Sequence, residues 1–134
     1  YKLLKKKDFQ LVVIPSMRTP LNTIHYAKEF FGENHTVIMN VDKKAYLSAL
    51  AISENIIVTC DSSSMISEAA LTGKPIYIAN ILPKKNDIRF QRFRNLFRDL
   101  NITRNLGEDV ENWTYQSLDE TNRVAQIIKE KINY

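Results

Sequence analysis

The chain has 134 residues, 44% of them hydrophobic and 25% charged, with a formal net charge of +4. That is enough for one globular domain, and no apolar run reaches the ~20 residues a membrane helix needs. One cysteine, Cys60, excludes an internal disulfide and a cysteine-rich metal site, and the two histidines, His25 and His35, argue against zinc.

In chain order, residues 1–7 read as the end of a helix. Their lysines stand behind a very short apolar pair, which is not a signal peptide, so a reducing cytoplasm is the expected location. With Tyr in first place the chain is expected to be a fragment or a processed product. Residues 8–14 predict a strand: Phe9, Leu11, Val12, Val13 and Ile14 form a near-continuous apolar run, as in a sheet covered on both faces. Thr19-Pro20 predicts a helix start, with Thr19 as N-cap and Pro20 at the first helical position. That helix runs to about Phe31, and Gly32 closes it. A short strand around Val37-Ile38-Met39 follows, and Asp42 caps a helix carrying Tyr46, Leu47, Ala49 and Leu50.

Residues 55–59 predict a third strand. A serine-rich turn and a helix over 64–72 come next, stopped by Gly73 with Pro75 beyond it. Residues 75–79 are a fourth strand. Residues 88–100 make an amphipathic helix with Phe90, Phe93, Leu96, Phe97 and Leu100 apolar, and its Phe positions are assigned to the core. A loop with Gly107 and Trp113 leads to Ser117-Leu118-Asp119-Glu120, a capping box for a last helix to about Ile132. Strands alternating with helices argue an α/β domain with a parallel sheet.

In open parallel sheets ligands sit beyond the carboxyl ends of the strands. Two loops hold that place, residues 15–19 and 61–64. Ser62, Ser63 and Ser64 offer hydroxyls beside the free N–H groups of a helix start, which suits a phosphate. The helix dipole adds about 0.3–1 kcal/mol at an exposed site, rising to roughly 2 when partly buried. The same serines also make ordinary caps. Glu68, one turn beyond Ser64, is either an exposed helix carboxylate or an acceptor for a ribose diol. Arg18, just before a helix start, is either a surface residue or an anion partner. Asp61 is a turn former or a ligand contact. Cys60 and both histidines are assigned to structure.

Residues 84–98 hold Lys84, Lys85, Arg89, Arg92, Arg94 and Arg98 against Asp87 alone, more than the whole chain's excess of +4. Such a segment faces phosphates, acidic lipid, a partner domain or simply solvent. No G-x-G-x-x-G and no G-x-x-x-x-G-K-[ST] is present, so the fingerprints of NAD-type dinucleotide binding and of P-loop NTPases are missing. The basic helix lacks base-stacking aromatics on its polar face, which argues against a nucleic-acid partner.

The run Ile57-Val58-Thr59-Cys60-Asp61-Ser62-Ser63-Ser64-Met65-Ile66-Ser67-Glu68-Ala69 resembles the signature of the bacterial relatives of the plant elongated-mitochondria (mitochondrial fission) proteins. Pro15-Ser16-Met17-Arg18-Thr19-Pro20, Arg89-Phe90-Gln91-Arg92-Phe93, and Trp113-Thr114-Tyr115 through Leu118-Asp119-Glu120-Thr121 agree with it in order, over nearly the whole chain. The family is similar in build to the GT-B glycosyltransferases. The resemblance therefore implies a Rossmann-like parallel sheet flanked by helices, a C-terminal GT-B-type domain lacking its first strand, with residues 1–134 as a single domain.

It further implies a nucleotide-diphosphate sugar as substrate. Ser62, Ser63 and Ser64 would meet the diphosphate, Glu68 the ribose, and the region from Asn86 through Arg89 to Gln91 the sugar, with Arg18 nearby. No metal or other cofactor is implied, because helix dipole and cations stabilise the leaving diphosphate. The implied partner is an N-terminal acceptor domain of the same protein that supplies the base, so this chain alone is not expected to catalyse transfer. Met17 stands where a second arginine is common in the family. Two rivals stay open. One is an interaction or scaffold module in which Arg89, Arg92, Arg94 and Arg98 meet an acidic protein or lipid surface, peripheral at the inner membrane. The other is an epimerase, against which the missing dinucleotide fingerprint argues.

Overall fold

A computed structural model describes residues 8–82 and 87–132 of the chain. The chain divides into two compact units, Tyr1–Ser53 with Gly107–Val110 and Glu54–Leu106 with Glu111–Tyr134. The described residues form an α/β structure with parallel strands in two sheets and five helices, a Rossmann-like build.

In the first unit, β1 (Val12–Val13) pairs in parallel with β2 (Thr36–Val37). The Thr36 N–H donates to Leu11 O at 3.0 Å and the Ile38 N–H to Val13 O at 2.9 Å. The strand expected over 8–14 is thus cut to two residues, because β2 offers no longer edge to pair with. Val12 is 40% exposed, so the strand is not covered on both faces as its apolar run suggested.

Helix α1 (Leu21–Phe31) begins one residue later than expected, with Pro20 in the N-cap place and no side-chain cap. Thr19 is not the cap because its hydroxyl is spent on the preceding turn, where it accepts the Ser16 N–H at 2.9 Å. Gly32 does close the helix, donating its N–H to Lys28 O at 2.8 Å. Asp42 caps α2 (Lys43–Ile52) as the sequence indicates: its Oδ1 accepts the Lys44 N–H at 2.8 Å and the Ala45 N–H at 3.0 Å.

The second unit holds a three-stranded parallel sheet in the order β3 (Ile56–Thr59), β4 (Ile76–Ala79), β5 (Thr103–Asn105). Helices α3 (Ser63–Ala70) and α4 (Ile88–Asp99) make the two crossovers that parallel strands require. The register runs Ile56↔Ile76 and Ile76↔Thr103. Central β4 buries Ile76, Tyr77 and Ile78 in succession, while β3 alternates, with Ile56 and Val58 buried and Ile57 exposed. Ile66, Ala69 and Ala70 are the buried residues of α3.

Three expectations change here. The loop after residue 100 contains β5, whose partner is β4. Of the phenylalanines assigned to the core on α4, Phe97 is buried and Phe93 half-buried, whereas Phe90 is exposed by 41%. Helix α5 (Glu120–Ile132) starts after Asp119, not after Ser117. Asp119 Oδ1 accepts the Asn122 N–H at 3.4 Å and Asp119 O accepts the Arg123 N–H at 3.1 Å. Ser117 is excluded because its neighbours are still bonded elsewhere: Tyr115 OH donates to Lys74 O at 2.8 Å and the Leu118 N–H to Ala70 O at 3.3 Å.

Candidate functional site

The site in the second unit is built where β3 runs into α3. The Cys60 N–H donates to Ala79 O at 3.0 Å, extending the ladder by one residue before the chain turns. Cys60 is buried, and its Sγ accepts the Ile81 N–H at 3.4 Å, the structural role its place in the strand suggests. The Ser62 N–H closes the turn onto Thr59 O at 3.2 Å. Ser62 then takes the N-cap place of α3, with its carbonyl accepting the Ile66 N–H at 3.1 Å.

Its hydroxyl makes no capping bond. As a result, the N–H groups of Ser63, Ser64 and Met65 have no hydrogen-bond partner among the described residues. An uncapped helix start in this position presents three donors and the positive end of a dipole. Ser62 is buried, Ser63 half-buried and Ser64 exposed, so the hydroxyls grade from core to solvent. Glu68 is exposed and lies four residues after Ser64, on the same helix face. Its carboxylate makes no hydrogen bond or ion pair among the described residues.

Arg94 is the residue whose place the sequence conceals. Counted there among the cations of a basic helix, it is turned inward with its side chain 17% exposed. Nη1 donates to Cys60 O at 2.9 Å and Nη2 meets Asp87 Oδ2 at 2.8 Å. A guanidinium is thereby fixed at the root of the serine turn. The available signal was the Asp87–Arg94 spacing of seven, two helical turns, which stacks acid and base on one side of α4. Arg89, Arg92 and Arg98 remain exposed.

Gln91 lines a cleft beside Arg94, and Arg89 does not. Asn86 lies outside the described residues. Arg18 is exposed in the first unit, within the 16–19 turn, where its N–H meets Ser16 Oγ at 3.3 Å. The structure therefore groups Ser62, Ser63, Ser64 and Glu68 on one helix start and Gln91 with Arg94 on another helix. Among the described residues, no three or more His, Cys, Asp or Glu side chains gather in a way that could hold a metal ion. No helix there is long and apolar enough to cross a membrane.

The family model described as "Mitochondrial fission ELM1" matches residues 1–132. The chain belongs to this family. Among curated relatives, it is 30% identical over 122 residues to the mitochondrial fission protein ELM1 of Arabidopsis thaliana, covering 87% of this chain and 28% of that protein. It is 39% identical over 87 residues to the uncharacterized protein RP120 of Rickettsia prowazekii (strain Madrid E), covering 63% of this chain and 24% of that protein. The chain thus spans about a quarter of the length of these curated relatives. No solved structure matches it. ELM1 membership agrees with the resemblance carried by residues 57–69 and by the three flanking stretches.

Proposed function

We propose that this chain is the nucleotide-diphosphate-sugar-binding part of a GT-B-like glycosyltransferase acting in the cytoplasm. The observation that carries this reading is the uncapped start of α3 beyond the carboxyl end of β3. The donor's diphosphate would accept from the N–H groups of Ser63 and Ser64 and from the serine hydroxyls. The Glu68 carboxylate, one turn on, would accept from the ribose diol. In transfer, an acceptor hydroxyl bonds to the anomeric carbon while the bond from that carbon to the diphosphate breaks. The negative charge that grows on the leaving diphosphate meets fixed donors and a helix dipole that need no rearrangement. The acceptor's proton goes to a base outside this chain.

Titration of UDP-sugars and GDP-sugars into the full natural polypeptide by calorimetry tests the reading. Glu68→Ala is expected to weaken donor binding about tenfold, roughly 1.4 kcal/mol. Equal affinity in both proteins would remove the ribose role. The exposed Arg89, Arg92 and Arg98 favour a second reading, an interaction module on acidic surfaces. Salt-sensitive binding to anionic vesicles without any nucleotide binding would support it instead.

A further inference from the structure

Gln91, Arg94, Asn95 and Arg98 recur at i, i+3, i+4 and i+7, so they share one face of α4. That face stands over a cleft of about 170 Å³. The opposite wall is formed by the carboxyl ends of β4 and β5, with Asn80, Arg104 and Asn105. Asn80 Nδ2 donates to Asn105 Oδ1 at 3.3 Å, which ties the two strand ends into a floor.

Arg94 and Arg98 of α4 line this cleft and no carboxylate does, while the Arg104 guanidinium lies over Trp113 beside Glu111, on the other face of the sheet from Thr103 and Asn105. The balancing acids stand outside it. Asp87 holds Arg94 at 2.8 Å, Glu111 pairs with Arg104, and Asp99 lies 3.6 Å from Arg98. Arg104 is further fixed with its guanidinium 4.3 Å over the Trp113 ring. Arg94 is therefore pre-oriented for the cleft, and it keeps N–H groups beyond those already bonded, since a guanidinium carries five. The Arg98 side chain makes no hydrogen bond among the described residues and is 56% exposed.

Fixed guanidinium forks beside amide donors are the chemistry that recognises phosphate oxygens. A water occupies about 30 Å³ of liquid, so the cleft takes roughly the volume of five waters, enough for a phosphate group with a few attached atoms. We infer that this cleft is a phosphate-binding site, with Arg94 as the fixed donor and Arg98 as the exposed one. Its lining does not include Ser62, Ser63 or Ser64, although Arg94 also reaches the root of their turn, and it does not depend on the donor reading. Its ligand is either free inorganic phosphate or the phosphate of a sugar monoester.

Calorimetric titration of the full natural polypeptide with inorganic phosphate and with glucose 1-phosphate tests this. Saturable binding is expected, weakened tenfold or more in Arg98→Gln and unchanged in Arg92→Gln, an exposed arginine outside the cleft. Both positions are exposed, so neither change threatens the fold. Tighter binding of glucose 1-phosphate assigns the site to a sugar phosphate, and equal binding assigns it to free phosphate. Binding that is absent, or that falls equally in both variants, overturns the inference. Glu68→Ala separates the two proposals: it leaves phosphate binding at the cleft unchanged whatever it does to a nucleotide sugar.

Discussion

Asn101 and Gly73 are the described residues with positive φ, 58° and 71°. Asn101 follows the last residues of α4, where its N–H donates to Arg98 O at 2.9 Å and the Ile102 N–H to Phe97 O at 2.9 Å. Those two bonds make a Schellman motif, and buried Phe97 and Ile102 supply the apolar contact that accompanies it. Asn tolerates the left-handed region better than any residue with a bulkier side chain. At Gly73 an added Cβ would meet nothing nearer than Ser117 Cβ at 3.9 Å, so space is not the constraint there. Backbone strain alone sets the cost. Gly73→Ala and Asn101→Ala are each expected to lose about 1 kcal/mol, while Asn101→Gly stays within a few tenths of the parent. Urea unfolding midpoints measure all three. A larger loss at Gly73 would mean that the Ser117 segment resists the added methyl group.

Residues 111–119, ahead of α5, have no regular structure, yet side chains staple them to the rest of the second unit. Tyr77 OH donates to Glu111 O at 2.9 Å, Trp113 Nε1 to Asn101 O at 3.0 Å, and Tyr115 OH to Lys74 O at 2.8 Å. The Tyr77 and Trp113 rings meet edge to face at 5.1 Å. Burial raises the Tyr115 hydroxyl above its ordinary pKa, and a hydrogen bond with Thr72 partly opposes that. A raised pKa means that the fold favours the neutral phenol. Its contribution is fully present below the unfolded value near 10 and is lost as pH rises through the folded value. Tyr115→Phe is therefore expected to cost about 1 kcal/mol at pH 7 through the lost hydrogen bond, with the gap to the parent narrowing above pH 10. Urea midpoints at the two pH values read this directly, and a constant gap would deny the burial effect. The elements were legible in the sequence where their cause is local. Asp42 announces α2, and the run from Cys60 to Glu68 carries its strand end, turn and helix within nine residues. β5 was not legible, because Thr103-Arg104-Asn105 has no strand pattern of its own and is placed by pairing with Ile76–Ile78. The starts of α1 and α5 slipped by one and two residues because Thr19 bonds to its own turn and Tyr115 bonds across to Lys74. The arginine cleft needs the ends of two strands and a helix face together, and no contiguous motif encodes that.

Taken as a whole, the molecule distributes its buried apolar surface unequally. Among the described residues, the first unit buries Ile24 and Val37 at 9% and 8% exposure and holds a ladder two residues long. The second unit buries Ile66 and Ile76 completely, with Ile102 at 2%, around a sheet whose central strand is paired on both sides. A two-stranded ribbon is marginal in water, whereas three strands under a helix are not. Free energies of opening should differ accordingly. Native-state hydrogen exchange is expected to protect the β4 amides at least tenfold more than those of Thr36 and Ile38, about 1.4 kcal/mol or more. The amides of Ser63, Ser64 and Met65 are an instructive contrast, since they sit in the more stable unit but lack partners, and they should exchange quickly. That pairing of rigid frame and unfilled donors is what a preorganised anion site requires, because the donors cost no ordering when the ligand arrives. Equal protection of β4 and the Thr36–Ile38 edge would show instead that both units open in one step. The serine turn would then share its fate with the weaker ladder, and α3 would hold no preformed cradle.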